Sequence, residues 1–273
     1  GEDIFTSLDL PSQKVAYDEL NNRRGAVVAV DINDGSIVTY VSSPSFSVNK
    51  IANGLTQNEF DELINDDDKP FFDRAAQGRY SPASTIKPAI GLFGIDKDIL
   101  DWEYTIQDPG FFILPEDGRI YRGWKKGGHG EINLKDAIIE SSNTFFFSLA
   151  YQTEIEELRA HLSNFGFGKN VCDDCFMPDN GLLPSPRWKM NTHNFGWFKG
   201  DTVNVGVGQG YINATPIQLA YYSAFLATKG NINKFSFVQD NKNVDKNIFN
   251  SKNIKNIDWD NIHAVSYTHL RAH

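Results

Sequence analysis

The run Ser81-Pro82-Ala83-Ser84-Thr85-Ile86-Lys87-Pro88-Ala89-Ile90 constrains this chain more than any other. Ile86, Ala89, Ile90 and Phe93 recur at i, i+3, i+4 and i+7. That spacing predicts a helix starting near Ser84 that buries the stripe and leaves Ser84, Lys87 and Gly91 on another face. Pro88 suits the opening turn, where its missing N–H has little or no helical partner to lose and its fixed φ is already helical. One turn of helix then carries a hydroxyl and an amine side by side.

A serine hydroxyl is a poor nucleophile at neutral pH and needs a base within hydrogen-bond reach; a spacing of three on a helix supplies that contact. Lys87 acts as a base only when neutral. Burial and the positive end of a helix both disfavour the ammonium, at about 1.4 kcal/mol per unit of pKa depression. On spacing alone the alternative is a helix-start serine with Lys87 reaching solvent. Ser47-Val48-Asn49-Lys50 has the same spacing but precedes no apolar-periodic segment, and it is read as loop.

With 273 residues, 40% hydrophobic and 13% aromatic, the chain can bury a sizeable core as one large or two small domains. The net charge of −9, with no basic cluster longer than a pair, argues against a nucleic-acid partner. No run of eighteen apolar residues occurs, and Gly1-Glu2-Asp3 lacks the basic start of a secretory signal. The two cysteines stand as Cys172-Asp173-Asp174-Cys175. Two carboxylates inside the loop would raise a thiol pKa, so a redox motif is disfavoured, and no second pair completes a zinc knuckle. The pair is read as structural or incidental, a local disulfide if the compartment is oxidising.

Taken in order, Ile4–Leu8 is strand-like and Asp9–Asn21 helical. Gly25–Ile32 and Ser36–Ser42 are Val/Ile/Ala-rich runs joined by Asn33-Asp34-Gly35, which predicts a hairpin. Residues 43–80 read as a long loop with a short acidic helix near Asn58–Ile64, and the segment from Lys97 to Gly130 as loop and short strand. Asn133 caps a helix, and Ser141-Ser142-Asn143 breaks it before an apolar run resumes at Thr144. Polar residues between buried helices are costly to leave unpaired, so a site is expected there. Thr153 and Glu156 form a capping-box pattern ahead of a helix to Asn164, and Thr215-Pro216-Ile217-Gln218 a stronger one for a helix ending at Gly230. Gly206-Val207-Gly208-Gln209-Gly210 lacks the strand–loop–helix context of a phosphate cradle.

A Ser-x-Asn element at a helix break, downstream of a Ser-x-x-Lys helix, is the combination used by serine acyltransferases that react with penicillin. With Arg74-Ala75-Ala76-Gln77-Gly78, Asp108-Pro109-Gly110-Phe111-Phe112, Trp124-Lys125-Lys126-Gly127-Gly128-His129-Gly130, Gly200-Asp201-Thr202 and Gly208-Gln209-Gly210-Tyr211, the chain from Asp3 to Ala264 resembles the class B penicillin-binding proteins of the elongation type. The resemblance implies an α/β, penicillin-binding protein/serine β-lactamase-like transpeptidase fold: an incomplete antiparallel sheet plus a helical lobe. It implies a peptidoglycan D,D-transpeptidase that cross-links stem peptides through a serine acyl-enzyme and is a target of β-lactams, without a cofactor. It further implies Ser84 as nucleophile, with its N–H as half of the oxyanion hole, and Lys87 as activating base. Ser141 would pass the proton to the leaving D-alanine, and Asn143 would bind both the lysine and the substrate amide. The implied partners of a full-length parent are a membrane glycan polymerase and the elongation-complex scaffold. The implied location is the periplasmic face of the inner membrane, anchored by an N-terminal helix that is not in this sequence.

The chain departs from the pattern in three places. The third motif, Lys-Thr/Ser-Gly on a strand, is absent; Thr228-Lys229-Gly230 has the letters in the wrong order at a helix end. Val265–His273 breaks the preceding texture and reads as a non-native, adapter-derived tail. The expected layout is therefore residues 1–24 as a connection from a missing pedestal domain, 25–264 as a partial transpeptidase domain and 265–273 as tail. Such a fragment is expected to bind penicillin poorly or not at all and to leave apolar sheet edge exposed. Lastly, some members resemble one another in a zinc site of two aspartates, a histidine and a cysteine. Asp108 and His129 keep two of those positions, Gly123 and Ser142 replace the others, and no bound zinc is expected. A serine β-lactamase or D,D-carboxypeptidase, or a non-catalytic scaffold, are the alternative functions.

Overall fold

The computed structural model describes residues 3–238 together with Trp259 and Ile262. The chain opens with α1 (Leu10–Leu20), the hairpin β1 (Gly25–Val30) and β2 (Ile37–Ser43), and helices α2 (Val48–Ala52) and α3 (Gln57–Asn65). A 3₁₀ turn, Ala83–Ile86, leads into α4 (Lys87–Asp96). Four short strands follow, β3 (Thr105–Asp108), β4 (Phe111–Ile113), β5 (Ile120–Arg122) and β6 (Gly130–Asn133). Six helices then run as α5 (Leu134–Ile139), α6 (Asn143–Tyr151), α7 (Ile155–Asn164), α8 (Pro186–His193), α9 (Lys199–Val205) and α10 (Pro216–Ala227). Among the described residues no helix is long and apolar enough to cross a membrane.

The elements fall into two compact units interleaved along the chain. The first takes the residues up to Tyr80, Lys169–Gly181 and the stretch from Ala214. Its hairpin is antiparallel, with Val28 opposite Tyr40 and a slip between Ala29 and Val30. Ile37, Thr39, Val41 and Ser43 alternate inward on β2 as a half-buried strand requires. The outer side of β2 is closed by the segment that precedes it. Asp9 N–H donates to the Val38 carbonyl (2.9 Å). The Gln13 amide donates to the Tyr40 carbonyl (2.6 Å) and accepts from its N–H (2.8 Å), standing in for a neighbouring strand. The outer edge of β2 is therefore already paired at Val38 and Tyr40, while among the described residues β1 pairs only with β2 and its far edge has no strand beside it.

In the same unit Thr215 and Gln218 form the capping box of α10. Gln218 also donates to the Lys169 and Asn180 carbonyls (2.9 and 2.8 Å), so one buried side chain serves the helix start and a distant loop. Thr228–Gly230 closes α10 and forms no strand. Cys172 and Cys175 are joined in a disulfide, and the Asp174 carboxylate between them accepts from the Phe237 and Val238 amides.

The second unit holds α4 through α9 and the four short strands. Its centre is α4, buried without interruption from Lys87 to Gly94. The predicted stripe is in place, but the helix has no wet face over those two turns, as in a core helix rather than an amphipathic one. Gly91 has no side chain because a methyl there would meet Leu134 Cδ1 at 2.7 Å. Burial of Ile86, Ile90 and Phe93 contributes about 1.5–3 kcal/mol each. α6 adds Phe145, Phe146, Phe147 and Leu149, and from α7 the buried His161 donates Nε2–H to the Ala89 carbonyl (3.0 Å).

Two local expectations are corrected. Val48–Lys50 is not loop but the start of α2, which the Ser47 hydroxyl caps by accepting from Lys50 N–H, although no residue of that helix is buried. Thr153 does not form a capping box with Glu156. Its hydroxyl donates to the Ala150 carbonyl of the preceding helix (2.8 Å), and Glu154 takes the N-cap position without a side-chain bond.

Candidate active site

Ser84 lies in the 3₁₀ turn rather than on α4 itself, which starts only at Lys87. The turn is fixed from behind by Ala83, held at φ +49°. Its N–H donates to the Gly208 carbonyl (2.9 Å). Gly208 is itself left-handed, at φ +69°, and a methyl on it would lie 2.7 Å from Ala83 N and closer still to the Ala83 carbonyl oxygen. The glycine run that sequence reasoning set aside as a failed phosphate cradle thus holds the residue before Ser84. Its signal in the sequence was the crowding of glycines just ahead of a helix, which marks close backbone approach.

Lys87 is 1% exposed. Its Nζ reaches the Ser141 carbonyl (2.7 Å), Ser141 Oγ (3.0 Å) and Asn143 Oδ1 (2.7 Å), and lies 5.5 Å from the centre of the Phe146 ring. Burial pushes its pKa down to about 7. The contacts suit a neutral amine. Two are pure acceptors and take its two N–H bonds; the third, a hydroxyl, can donate to the remaining lone pair. A proton therefore has a path between Lys87 and Ser141.

The segment that receives the lysine is shaped by its own backbone. Ser141 ends the α5 region at φ +53°. Ser142 then caps α6 by accepting from Phe145 N–H (3.2 Å), which sets Asn143 as the first helical residue. Ser141, Asn143 and Lys87 come together, and Ser84 stands one turn before the lysine, half-buried. Among the described residues no hydrogen bond links Ser84 Oγ to Lys87 Nζ; such contacts commonly tighten only around a bound substrate. The group combines a hydroxyl, an amine with a near-neutral pKa, a second hydroxyl and a carboxamide, which is a set of parts for acyl transfer.

Asp108, missed by sequence reasoning except as a metal ligand, is 2% exposed beneath this segment. Its Oδ2 accepts from Ser142 Oγ (2.7 Å) and lies 2.7 Å from His129 Nδ1, while Oδ1 accepts from Gly110 N–H (2.7 Å). Burial pushes its pKa up, but hydrogen bonds from His129, Ser142 and Gly110 outweigh that and hold it below the ordinary carboxylate value. The β3–β6 pairing, with Asp108 opposite Gly130, brings His129 to it. A four-ligand zinc centre does not fit these residues. Gly123 offers no side chain, and the Ser142 hydroxyl and the His129 ring converge on one carboxylate oxygen instead of on a shared ion position. Among the described residues the one cluster with three potential ligands is Cys172, Asp174 and Cys175, where the disulfide already occupies both sulfurs.

Comparison with known proteins gives consistent matches. The family model described as penicillin binding protein transpeptidase domain matches residues 25–269. The peptidoglycan D,D-transpeptidase MrdA of Acinetobacter baumannii is 44% identical over 230 residues, which is 84% of this chain and 34% of that protein. The MrdA of Escherichia coli K12 is 36% identical over 230 residues, 84% of this chain and 36% of that protein. The chain thus spans about a third of the length of these curated relatives. Among solved structures, Pseudomonas aeruginosa PBP2 in complex with WCK 5153 superposes with a TM-score of 0.91 at 37% identity, over 98% of this chain and 59% of that one. PBP2 of Helicobacter pylori, in complex with MreC, gives 0.89 at 31% identity, over 97% of this chain and 49% of that one.

Proposed function

The chain belongs to the penicillin-binding protein transpeptidase family and has its fold, and from that premise we propose that it carries the acylation machinery of a peptidoglycan D,D-transpeptidase. Neutral Lys87 takes the proton of Ser84 Oγ as that oxygen bonds to the carbonyl carbon of the penultimate D-alanine of a stem peptide. The amide bond to the terminal D-alanine breaks, and the departing nitrogen receives a proton through Ser141. The amine of a second stem peptide then attacks the ester and forms the cross-link. Its proton returns through Lys87, and Ser84 leaves as a hydroxyl. Asn143 holds the lysine and the substrate amide, and the Ser84 N–H faces the developing oxyanion, a kind of donor worth about 2.7–4 kcal/mol where removed. β-Lactams enter at the same serine.

The observation that carries this reading is the buried amine of Lys87 between Ser141 and Asn143, one turn after Ser84. The substrates, a glycan polymerase and an elongation scaffold as partners, and a place at the periplasmic face of the inner membrane belong to the same proposal. The MreC complex of the Helicobacter relative supports the scaffold. The test is intact-mass analysis of the protein from its complete reading frame after exposure to a fluorescent penicillin. One adduct on Ser84, lost in Ser84→Ala, is expected; an adduct that persists in that variant would overturn the assignment. Rapid turnover of a chromogenic cephalosporin would favour a β-lactamase instead.

A further inference from the structure

We propose that Asp108, acting through Ser142, is a positioning residue that holds the Ser141–Asn143 segment against Lys87 as a strut of hydrogen bonds without a metal ion. The inference rests on the acyl-transfer reading of Ser84 and Lys87.

The strut is visible as a chain of contacts from a strand end to the reactive amine. Asp108 terminates β3, and its carboxylate is shared among Ser142, His129 and the Gly110 amide. Its main-chain carbonyl accepts from the His129 N–H (3.1 Å). Ser142 is fully buried and works in both directions. Its hydroxyl hydrogen goes to Asp108 and its oxygen accepts from Phe145 N–H at the start of α6. The residues on either side of it, Ser141 and Asn143, supply all three hydrogen bonds of Lys87 Nζ. Ser141 meanwhile holds a left-handed backbone that costs a non-glycine residue free energy unless its surroundings enforce it. The end of α5 holds it locally, with the Ser141 and Ser142 amides donating to the Ile138 and Ala137 carbonyls, and the buried carboxylate tethers the residue that follows.

The chemistry of the strut explains why an aspartate is needed. All three partners donate, and both carboxylate oxygens accept. An asparagine of the same shape must place an NH₂ group against either the Gly110 amide or the Ser142–His129 pair, so Asp108→Asn sets donor against donor. Ser142→Ala removes the link differently, leaving Asp108 with His129. The two variants break one connection at its two ends, so their effects should coincide rather than add.

The experiment measures penicillin acylation of the protein from its complete reading frame, separating the binding constant from the acylation rate constant of the titrated active fraction. Hydrogen exchange of residues 141–145 and metal content are read in parallel. In Asp108→Asn, Ser142→Ala and the double variant, the rate constant of the active fraction is expected to fall roughly 10–100-fold. The binding constant should hold within about twofold, and exchange across 141–145 should accelerate, with the double variant no worse than the singles. Simple destabilisation would lower the active fraction and leave its rate constant alone. The wild-type protein is expected to carry substoichiometric metal and to lose neither thermal stability nor acylation on dialysis against a chelator. Unchanged rate constants with unchanged exchange would overturn the positioning role. One bound metal ion per chain whose removal loosens residues 141–145 would overturn the metal-free strut. If the wild-type protein is not acylated at all, the functional reading fails, while exchange in the same variants still decides whether the strut orders the segment.

Discussion

Acylation of Ser84 should follow the deprotonation of Lys87, whose pKa burial brings down to about 7. Below that value each pH unit removes about a factor of ten of the neutral amine, and above it the neutral form saturates. Between pH 5.5 and 8.5 the neutral fraction rises from about 3% to about 97%, so the second-order acylation constant should climb roughly 30-fold and then level off. A lysine at its ordinary value would instead give roughly a thousandfold climb over that range with no plateau. The assay is quenched acylation by a fluorescent penicillin at constant ionic strength from pH 5.5 to 9.5. Stability carries the same signature with its sign fixed by linkage. The folded pKa lies below the unfolded one near 10.5, so the fold binds fewer protons between them. Stability is lowest below about pH 7 and gains up to ~1.4 kcal/mol per unit as pH rises toward 10.5, on the order of 5 kcal/mol in all. Lys87→Met should abolish acylation and flatten that rise. A rate that keeps climbing log-linearly beyond pH 9, or a wild-type stability curve parallel to that of Lys87→Met, would refute the argument.

Other outcomes follow from single contacts. Burial lowers the His161 pKa to about 4, so the fold favours its neutral form; stability is complete above about pH 6.5 and should lose roughly 2–3 kcal/mol by pH 4.5. Urea unfolding of His161→Phe should lack that acid limb. Gly208→Ala forces a methyl onto the Ala83 backbone at a left-handed φ. It should cost about 1–3 kcal/mol in stability and slow acylation more than the stability loss explains. The buried Lys189 pairs with the partly buried Asp201 at 2.6 Å. Lys189→Met leaves the carboxylate with the Phe198 N–H (2.8 Å) and should destabilise by about 1–3 kcal/mol in chemical denaturation, with partial recovery in the double variant with Asp201→Asn.

What the sequence revealed was whatever lies close together along it. Ser84 and Lys87 share a turn, Ser141 and Asn143 share a helix break, and the Thr215 capping box is complete within four residues, so local spacing marked the first four as candidates and gave the cap outright. The supports were hidden because they join distant segments. Local spacing does not join Asp108 to Ser142, which only the family resemblance set at one site, and the glycines around Gly208 announce a close approach without naming Ala83 as its partner. The same limit produced the misreading of Thr153. Its spacing to Glu156 was right, but the hydroxyl found a nearer acceptor at Ala150, which no count of residues reveals. The interleaving of the two units was equally illegible, because Tyr80 pairs with Ala214 from the far side of a long intervening stretch.

The dry surroundings of α4 also bear on how this protein can change. A helix packed on every side from Lys87 to Gly94 offers no position where a side chain may be swapped without altering a filled volume. Gly91 and Gly94 can take no added methyl without displacing Leu134, Leu149 or Leu100. Sequence change within this helix is therefore expected to be costly, and substitutions that the fold tolerates should fall outside it.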